Sequence, residues 1–252
     1  MKENLFGRCM MFYGKEGFER LQNSLVAVVG LGGVGSYAAE ALVRAGIGRL
    51  RLIDCDVIKA SDINRQLLAL TTTLGASKVQ AARERLLSIN PSVTLDTRHD
   101  FFHHDTAHDL ITGDLAFVID AIDSVGPKGE LIRHCLEVKI PIISTMGAAG
   151  KTNPFLIKID LLENTSACML ARAVRRYLRS RKVSTSVPVV YSTERSTAPK
   201  GDIAPVVEDS GTYLRGRPRR PLPSLPTIPA MFGLIAANYV IQQLLENKVS
   251  DR

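Results

Sequence analysis

The sequence has no tryptophan, and aromatic residues make up only 6% of its 252 residues. Its four cysteines are Cys9, Cys55, Cys135 and Cys168, and none of them falls in a C-x-x-C pair. A structural zinc site built from paired cysteine motifs is thereby excluded. No secretory pattern is visible at Met1-Lys2-Glu3-Asn4, so free thiols in a reducing, cytoplasmic setting are expected. Long hydrophobic runs are missing too. The most apolar late stretch, Ile228 to Ile241, is too short to cross a bilayer comfortably, and Asn238, Gln242 and Gln243 interrupt or follow it. It reads as a core helix, with no membrane partner. Acidic residues are the minority, 25 against 32 Lys+Arg, for a net charge of +7. That balance suits nucleic acid as a partner and equally suits a merely basic surface. Internal repeats are absent.

What is present begins with apolar mass. With 45% apolar residues, the chain can bury a sizeable core, as one large domain or one domain with an appendage. The rest is organised around Val26 to Asp56. Val26-Ala27-Val28-Val29 is short and β-branched, as a buried parallel strand should be. It ends in Gly30-Leu31-Gly32-Gly33-Val34-Gly35, and an Ala-rich helix pattern follows to Ala45-Gly46. A second apolar run, Leu50 to Ile53, then delivers Asp54, at the roughly 20-residue distance that places an acid on a ribose hydroxyl. Glycines make the tight turn, admit phosphate oxygens to the backbone and pack helix on strand. The helix start offers free N–H groups and a positive dipole end to an anion. Strand, glycines, helix, strand and acid in one unit define a nucleotide site.

Downstream, Ser77 caps a helix that ends at Asn90-Pro91, and Val93 to Arg98 alternates like a strand. His104 to Ile111 reads as a short helix. Leu115 to Asp120 is a buried strand, Pro127 opens the next helix, and Ile140 to Thr145 is another strand. Upstream, residues 1 to 24 read as helical, with a turn at Lys15-Glu16-Gly17. Strands alternating with helices imply βαβ units and right-handed crossovers. The predicted fold is α/β: a Rossmann-like, mostly parallel sheet with helices on both faces. A C-terminal extension adds strands at Leu156 to Leu161 and Val187 to Ser192, a basic helix, a long loop over 194–227 and a last helix from Ile228 to Asn247. The expected division is 1–150 for nucleotide binding and 151–252 for an extension packed on the same domain.

Asp54-x-Asp56, Asn64-Arg65-Gln66 and a helix-borne Lys78 follow the second strand. A nicotinamide enzyme gains little from such cations. An enzyme that lets a carboxylate attack ATP at the α-phosphate needs them, because both reactants are anionic. Magnesium also helps and needs a carboxylate such as Asp123, which directly follows a strand.

Gly30-x-Gly32-Gly33-x-Gly35, Asp54-x-Asp56, Asn64-Arg65-Gln66, Gly75-x-x-Lys78-Val79 and Asp120-Ala121-Ile122-Asp123 resemble, in order, the signature of the ThiF/MoeB/HesA superfamily of ubiquitin-activating-type adenylating enzymes. The resemblance implies ATP and Mg2+ as cofactors. Gly30, Gly32, Gly33, Gly35, Asp54, Asp56, Asn64, Arg65 and Lys78 would bind the nucleotide: the glycines its phosphates, Asp54 its ribose, Arg65 and Lys78 the triphosphate. Asp123 would hold the metal. Arg8 would resemble the arginine that reaches a partner subunit's ATP in a homodimer, and Arg65, Lys78, Asp123 and Arg8 form the implied catalytic set. Asp62 departs from the family's usual asparagine.

Within the superfamily the chain looks most like the tRNA threonylcarbamoyladenosine dehydratase branch, through Tyr13-Gly14, Asp123-Ser124, Lys128, Gly147-Ala148, Leu170-Ala171-Arg172, Val189-Val190-Tyr191-Ser192 with Glu194, and Leu225 to Gly233. The implied reaction is ATP-dependent cyclisation of the modified adenosine through adenylation of its carboxylate. The implied partners are tRNA, a second copy of the chain and a cysteine desulfurase or sulfur acceptor. The alternative is activation of a ubiquitin-like sulfur carrier.

Arg172, Arg175, Arg176 and Arg179 recur at three- and four-residue spacing and share a helix face, a candidate RNA contact. Arg215, Arg217, Arg219 and Arg220 read as a basic linker. Cys168 at that helix start reads as a small structural thiol. His103, His104 and His108 read as a surface helix start, since no third metal ligand is evident.

Overall fold

The computed structural model describes residues 5–195 and 222–246. Most of the predicted 194–227 loop, with Arg215, Arg217, Arg219 and Arg220, lies outside the described residues, as does the predicted helix end at Asn247.

Among the described residues, seven strands form one sheet: β1 (Leu25–Val29), β2 (Arg49–Ile53), β3 (Thr94–Arg98), β4 (Phe117–Asp120), β5 (Ile142–Thr145), β6 (Ile157–Leu161) and β7 (Pro188–Ser192). Their order is β3-β2-β1-β4-β5-β7-β6, and every pairing is parallel except β6 with β7. β1 and β4 are buried along their whole length, as β-branched and apolar runs with helices on both faces must be. Strand order reverses between β1 and β4, so the crevice beyond their carboxyl ends is where an α/β sheet binds ligands.

Helices α2 (Gly35–Ala45), α3 (Lys78–Ile89) and α7 (Thr227–Glu246) cover one face; α4 (Ala107–Leu110), α5 (Val125–Glu137) and α6 (Met169–Arg179) cover the other. Local chemistry sets their ends. Gly46 takes φ 98° after α2 and closes the helix through Ile47 N–H to Leu42 O at 3.1 Å. Ser77 accepts the Gln80 N–H at 3.3 Å to start α3. α7 is long and apolar enough to cross a membrane by composition alone, yet half of it is buried inside the protein. Phe232, Ala236, Ala237 and Val240 are buried in the core, and at Gly233 an added Cβ would stand 2.2 Å from Val34 O. The extension's last helix therefore seats directly on the start of α2.

Two expectations change. The predicted turn at Lys15-Glu16-Gly17 is helical. α1 (Gly7–Asn23) runs through it and kinks at Gly14, φ 69° and ψ 173°, where the missing Cβ makes a left-handed residue cheap. The helix predicted from His104 to Ile111 is confined to α4, because residues 103–106 form a turn closed by Thr106 Oγ1, which accepts the His103 N–H at 3.0 Å and donates to Phe101 O.

Candidate active site

The glycine turn joins β1 to α2 at the strand-order switch. Gly30 has φ 90°, and a Cβ there would stand 2.9 Å from Ala121 O on the β4 side. A Cβ at Gly35 would lie 1.8 Å from Gly30 O, so the helix can close on the turn only without one. Around Gly32, by contrast, a Cβ would meet nothing nearer than Gln66 Nε2 at 3.9 Å. That open side, with no side-chain cap from the N-cap residue Val34 among the described residues, leaves backbone N–H groups for an anion.

The acids and cations predicted from sequence gather beside this turn. Asp54, at the end of β2, accepts the Leu31 N–H at 2.6 Å and the Asp56 N–H at 2.8 Å. Lys78 is buried and donates to Asp56 Oδ2 at 3.1 Å. Burial pulls the Lys78 ammonium down, but Asp54, Asp56 and Asp62 outweigh it and raise its pKa above the usual lysine value. Burial also pushes the Asp54 carboxyl up, partly offset by Lys78. Arg65 packs against Gly33, whose added Cβ would meet Arg65 O at 3.2 Å and Cγ at 3.4 Å. Its Nη1 donates to Ser61 O at 2.8 Å and Asn64 Oδ1 at 2.9 Å. Asn64 in turn donates to Ser224 O at 3.2 Å, tying the site to the segment before α7.

Asp62, the departure from the family pattern, is buried beneath this loop. It accepts from Gln66 Nε2 at 2.5 Å and from the Lys59 N–H at 3.1 Å, and lies 3.6 Å from Arg65 Nη2. It is a keystone of the 3-10 turn Ala60–Asp62, with its carboxylate spent on protein donors. Sequence alone left its direction open.

Asp123 lies exposed just beyond β4. The turn that carries it is held from below by a buried triad that pattern reading did not assemble. Lys128 Nζ donates to Asp120 Oδ2 at 2.7 Å and Ser144 Oγ at 3.1 Å, while Asp120 Oδ1 accepts the Ile122 N–H at 3.0 Å. Burial pulls Lys128 below the usual lysine range, against the opposing pull of Asp120.

The basic helix separates into two uses. Arg172, Arg176 and Arg179 are exposed on α6. Arg175 shares their face, but its Nη1 turns back to donate to Leu162 O and Thr165 O, each at 3.0 Å, and to Thr165 Oγ1. The structure gives Arg175 a task that spacing does not reveal: the carbonyls of the turn before α6 need a donor, and Arg175 supplies it. Cys168 is buried and caps α6, accepting the Ala171 N–H at 3.5 Å. The expected lack of a third ligand near His103 and His104 also changes. Asp105 brings an oxygen to the same cluster, all within 4.8 Å, whereas His108 packs on the His134 ring. Arg8 is exposed on α1, and no hydrogen bond or ion pair among the described residues joins it to the glycine-turn cluster.

A glycine turn at a strand-order switch, acids at the end of the next strand and fixed cations beside them define a nucleotide-binding α/β protein. Residues 6–251 match the ThiF family, and the chain belongs to it. It is 38% identical over 242 residues to the tRNA threonylcarbamoyladenosine dehydratase of Bacillus subtilis (strain 168), covering 96% of this chain and 95% of that one. It resembles the crystal structure of E. coli tRNA N6-threonylcarbamoyladenosine dehydratase, TcdA, in complex with ATP. That likeness has TM-score 0.84 and 32% identity, over 95% of this chain and 93% of that one. The molybdopterin-synthase adenylyltransferase of Salmonella typhimurium (strain LT2) is 40% identical, but over only 53% of each chain.

Proposed function

We propose that this protein is an ATP-dependent tRNA threonylcarbamoyladenosine dehydratase that adenylates the carboxylate of the modified nucleoside. The observation that carries this reading is the convergence of the open Gly32 face, Arg65 and buried Lys78 beside the uncapped start of α2. The near full-length match to dehydratases supports it against the half-length match to the adenylyltransferase. So does Cys168, which is buried as a helix cap rather than presented as a nucleophile for a carrier protein.

The glycine turn and the α2 start receive the phosphates, Asp54 the ribose, and Arg65 with Lys78 the triphosphate charge. Asp56 and Asn64 position these cations. Gln66 Oε1 is buried and meets no hydrogen-bond partner among the described residues, so a polar group of the nucleotide would complete it. Asp123 suits Mg2+ because it is an exposed hard oxygen donor just beyond β4. The ion would neutralise phosphate charge. Attack of the nucleoside's carboxylate oxygen on the α-phosphorus releases pyrophosphate and forms an acyl-adenylate. A neighbouring nucleophile of the same nucleoside then displaces AMP and closes the ring, helped by high effective molarity.

Residues 1–150 serve ATP in this reading, and 151–252 serve the RNA, with Arg172, Arg176 and Arg179 meeting its backbone. The working form is a homodimer in which Arg8 reaches the second copy's site. Support comes from Met11 and Phe12, 88% and 81% exposed on α1, and from a cavity of about 390 Å³ lined by Cys9, Tyr13, Tyr37, Leu67 and Leu234. Its setting is the cytoplasm, where free cysteines persist. The test is nucleoside mass analysis of threonylcarbamoyladenosine-bearing tRNA incubated with the protein, ATP and Mg2+. The expected product is the cyclised nucleoside lacking one water; an unchanged nucleoside overturns the reading.

A further inference from the structure

Phe155 is 92% exposed, the most exposed large apolar side chain among the described residues. Its backbone is the opposite of loose. It sits in a 3-10 turn, Pro154–Leu156, that opens with a proline and is capped by Asn153, whose Oδ1 accepts the Phe155 N–H at 2.9 Å. One residue upstream, the Glu194 carboxylate accepts the Thr152 N–H with both oxygens at 3.0 Å, the Thr152 hydroxyl at 3.0 Å and the Asn153 N–H at 2.9 Å. Buried Lys151 donates to Glu194 O, and the Thr193 N–H bonds Leu156 O at 3.0 Å. A carboxylate, an asparagine, a lysine and a proline thus fix the pedestal of a ring that contributes almost nothing to the core.

The place of this ring is functional ground. β6 begins where β7 ends, Ile157 opposite Ser192, and β7 runs parallel to β5. Phe155 therefore stands beyond the carboxyl ends of β5 and β7, on the same sheet edge as the glycine turn but across from the ATP acids of β2. The start of α6 reaches that edge too. A Cβ on Gly147, just past β5, would lie 3.7 Å from Cys168 Sγ and from Leu170 Cβ. There Met169 is 88% exposed, and Arg172 and Lys158 are exposed nearby in sequence.

We propose that Phe155 is a stacking platform for an unpaired nucleobase of the RNA substrate. This rests on the RNA-modifying reading above and adds to it a side chain that recognises single-stranded RNA. An exposed aromatic ring offers a π-face to any unstacked base, while exposed cations on β6 (Lys158) and α6 (Arg172) can follow the phosphates. Its rigid turn means that little conformational entropy is lost on binding.

The test uses the full chain and a tRNA stem-loop carrying 2-aminopurine in its unpaired loop. Wild-type protein should quench the probe on binding. Phe155→Ala should raise the Kd about tenfold, within the range of about 5- to 150-fold that loss of one base–aromatic stack gives, and should abolish the quenching. Phe155→Tyr and Phe155→Trp should restore both, with ATP affinity unchanged throughout. Wild-type Kd and quenching in Phe155→Ala, from an enzyme that still dehydrates tRNA, overturn this inference alone. Loss of a wild-type dimer in Phe155→Ala by sedimentation would overturn it in favour of a contact between copies. Wild-type protein that neither binds nor dehydrates tRNA overturns the RNA-modifying reading as well.

Discussion

Lys78 Nζ lies 3.1 Å from Asp56 Oδ2, with Lys78 buried and Asp56 at the rim of the glycine turn. The acids of the β2 end and of the following turn keep this buried ammonium charged despite the cost of burial. A fixed, desolvated cation beside an open anion-binding turn is far more effective than the same charge in water.

Lys78→Met should therefore weaken ATP binding about 100-fold or more and should also destabilise the fold by up to about 3 kcal/mol, since Asp54 and Asp56 lose their counter-charge. Calorimetric ATP titration and denaturant unfolding check the two effects. Unchanged ATP affinity would remove Lys78 from the site.

Asp62 accepts from Gln66, Lys59 and, at longer range, Arg65. Asp62→Ala should cost about 1–3 kcal/mol, the usual cost of stranding buried donors, and should raise the KM for ATP by freeing Arg65. Asp62→Asn keeps an acceptor and should be much milder. Equal effects of the two variants in melting and steady-state assays would contradict the keystone role.

On α6 the arginines should part company. Reversing Arg172, Arg176 and Arg179 to Glu together should weaken tRNA binding at least tenfold and flatten its salt dependence, with ATP binding intact. Arg175→Ala should instead lower the melting temperature, by loss of about 1–3 kcal/mol of bonding to Leu162 and Thr165. Salt titrations of tRNA affinity and thermal melts separate them.

Glu40 links α2 to α3, accepting from Arg44 at 2.8 Å and Arg85 at 2.5 Å. Burial alone would raise its carboxyl, but the two arginines hold it below the usual 4.5. The folded state therefore favours the ionised form. The stabilisation is complete above the unfolded value and is lost as pH falls through the lower folded one. Glu40→Gln should be less stable than wild type at neutral pH, with the gap closing under acid. Denaturant midpoints across that range measure it, and a constant gap would refute it.

What the sequence made legible was local. The glycine turn, Asp54, the Ser77 cap and the burial of β1 follow from neighbours within a few positions, so pattern and spacing expose them. What it hid depends on contacts between distant residues. Asp120, Lys128 and Ser144 meet across helix and strand, and Arg175 finds carbonyls more than two turns away in sequence. A helical repeat places Arg175 on the right face, yet cannot tell whether its guanidinium points to solvent or to a carbonyl. The Gly14 kink was equally hidden, because glycine is compatible with either a turn or a bent helix. The fixed exposure of Phe155 is not legible locally, because the turn beneath it is clamped by Glu194, forty-odd positions on.

The central claim is that a carboxylate of the substrate strikes the α-phosphorus of ATP. The most direct measurement is to supply tRNA whose threonylcarbamoyladenosine carboxylate carries oxygen-18 and follow the label. The account predicts one labelled oxygen in AMP for each cyclised nucleoside, with unlabelled pyrophosphate. Label in inorganic phosphate together with ADP, or AMP without label, would contradict it.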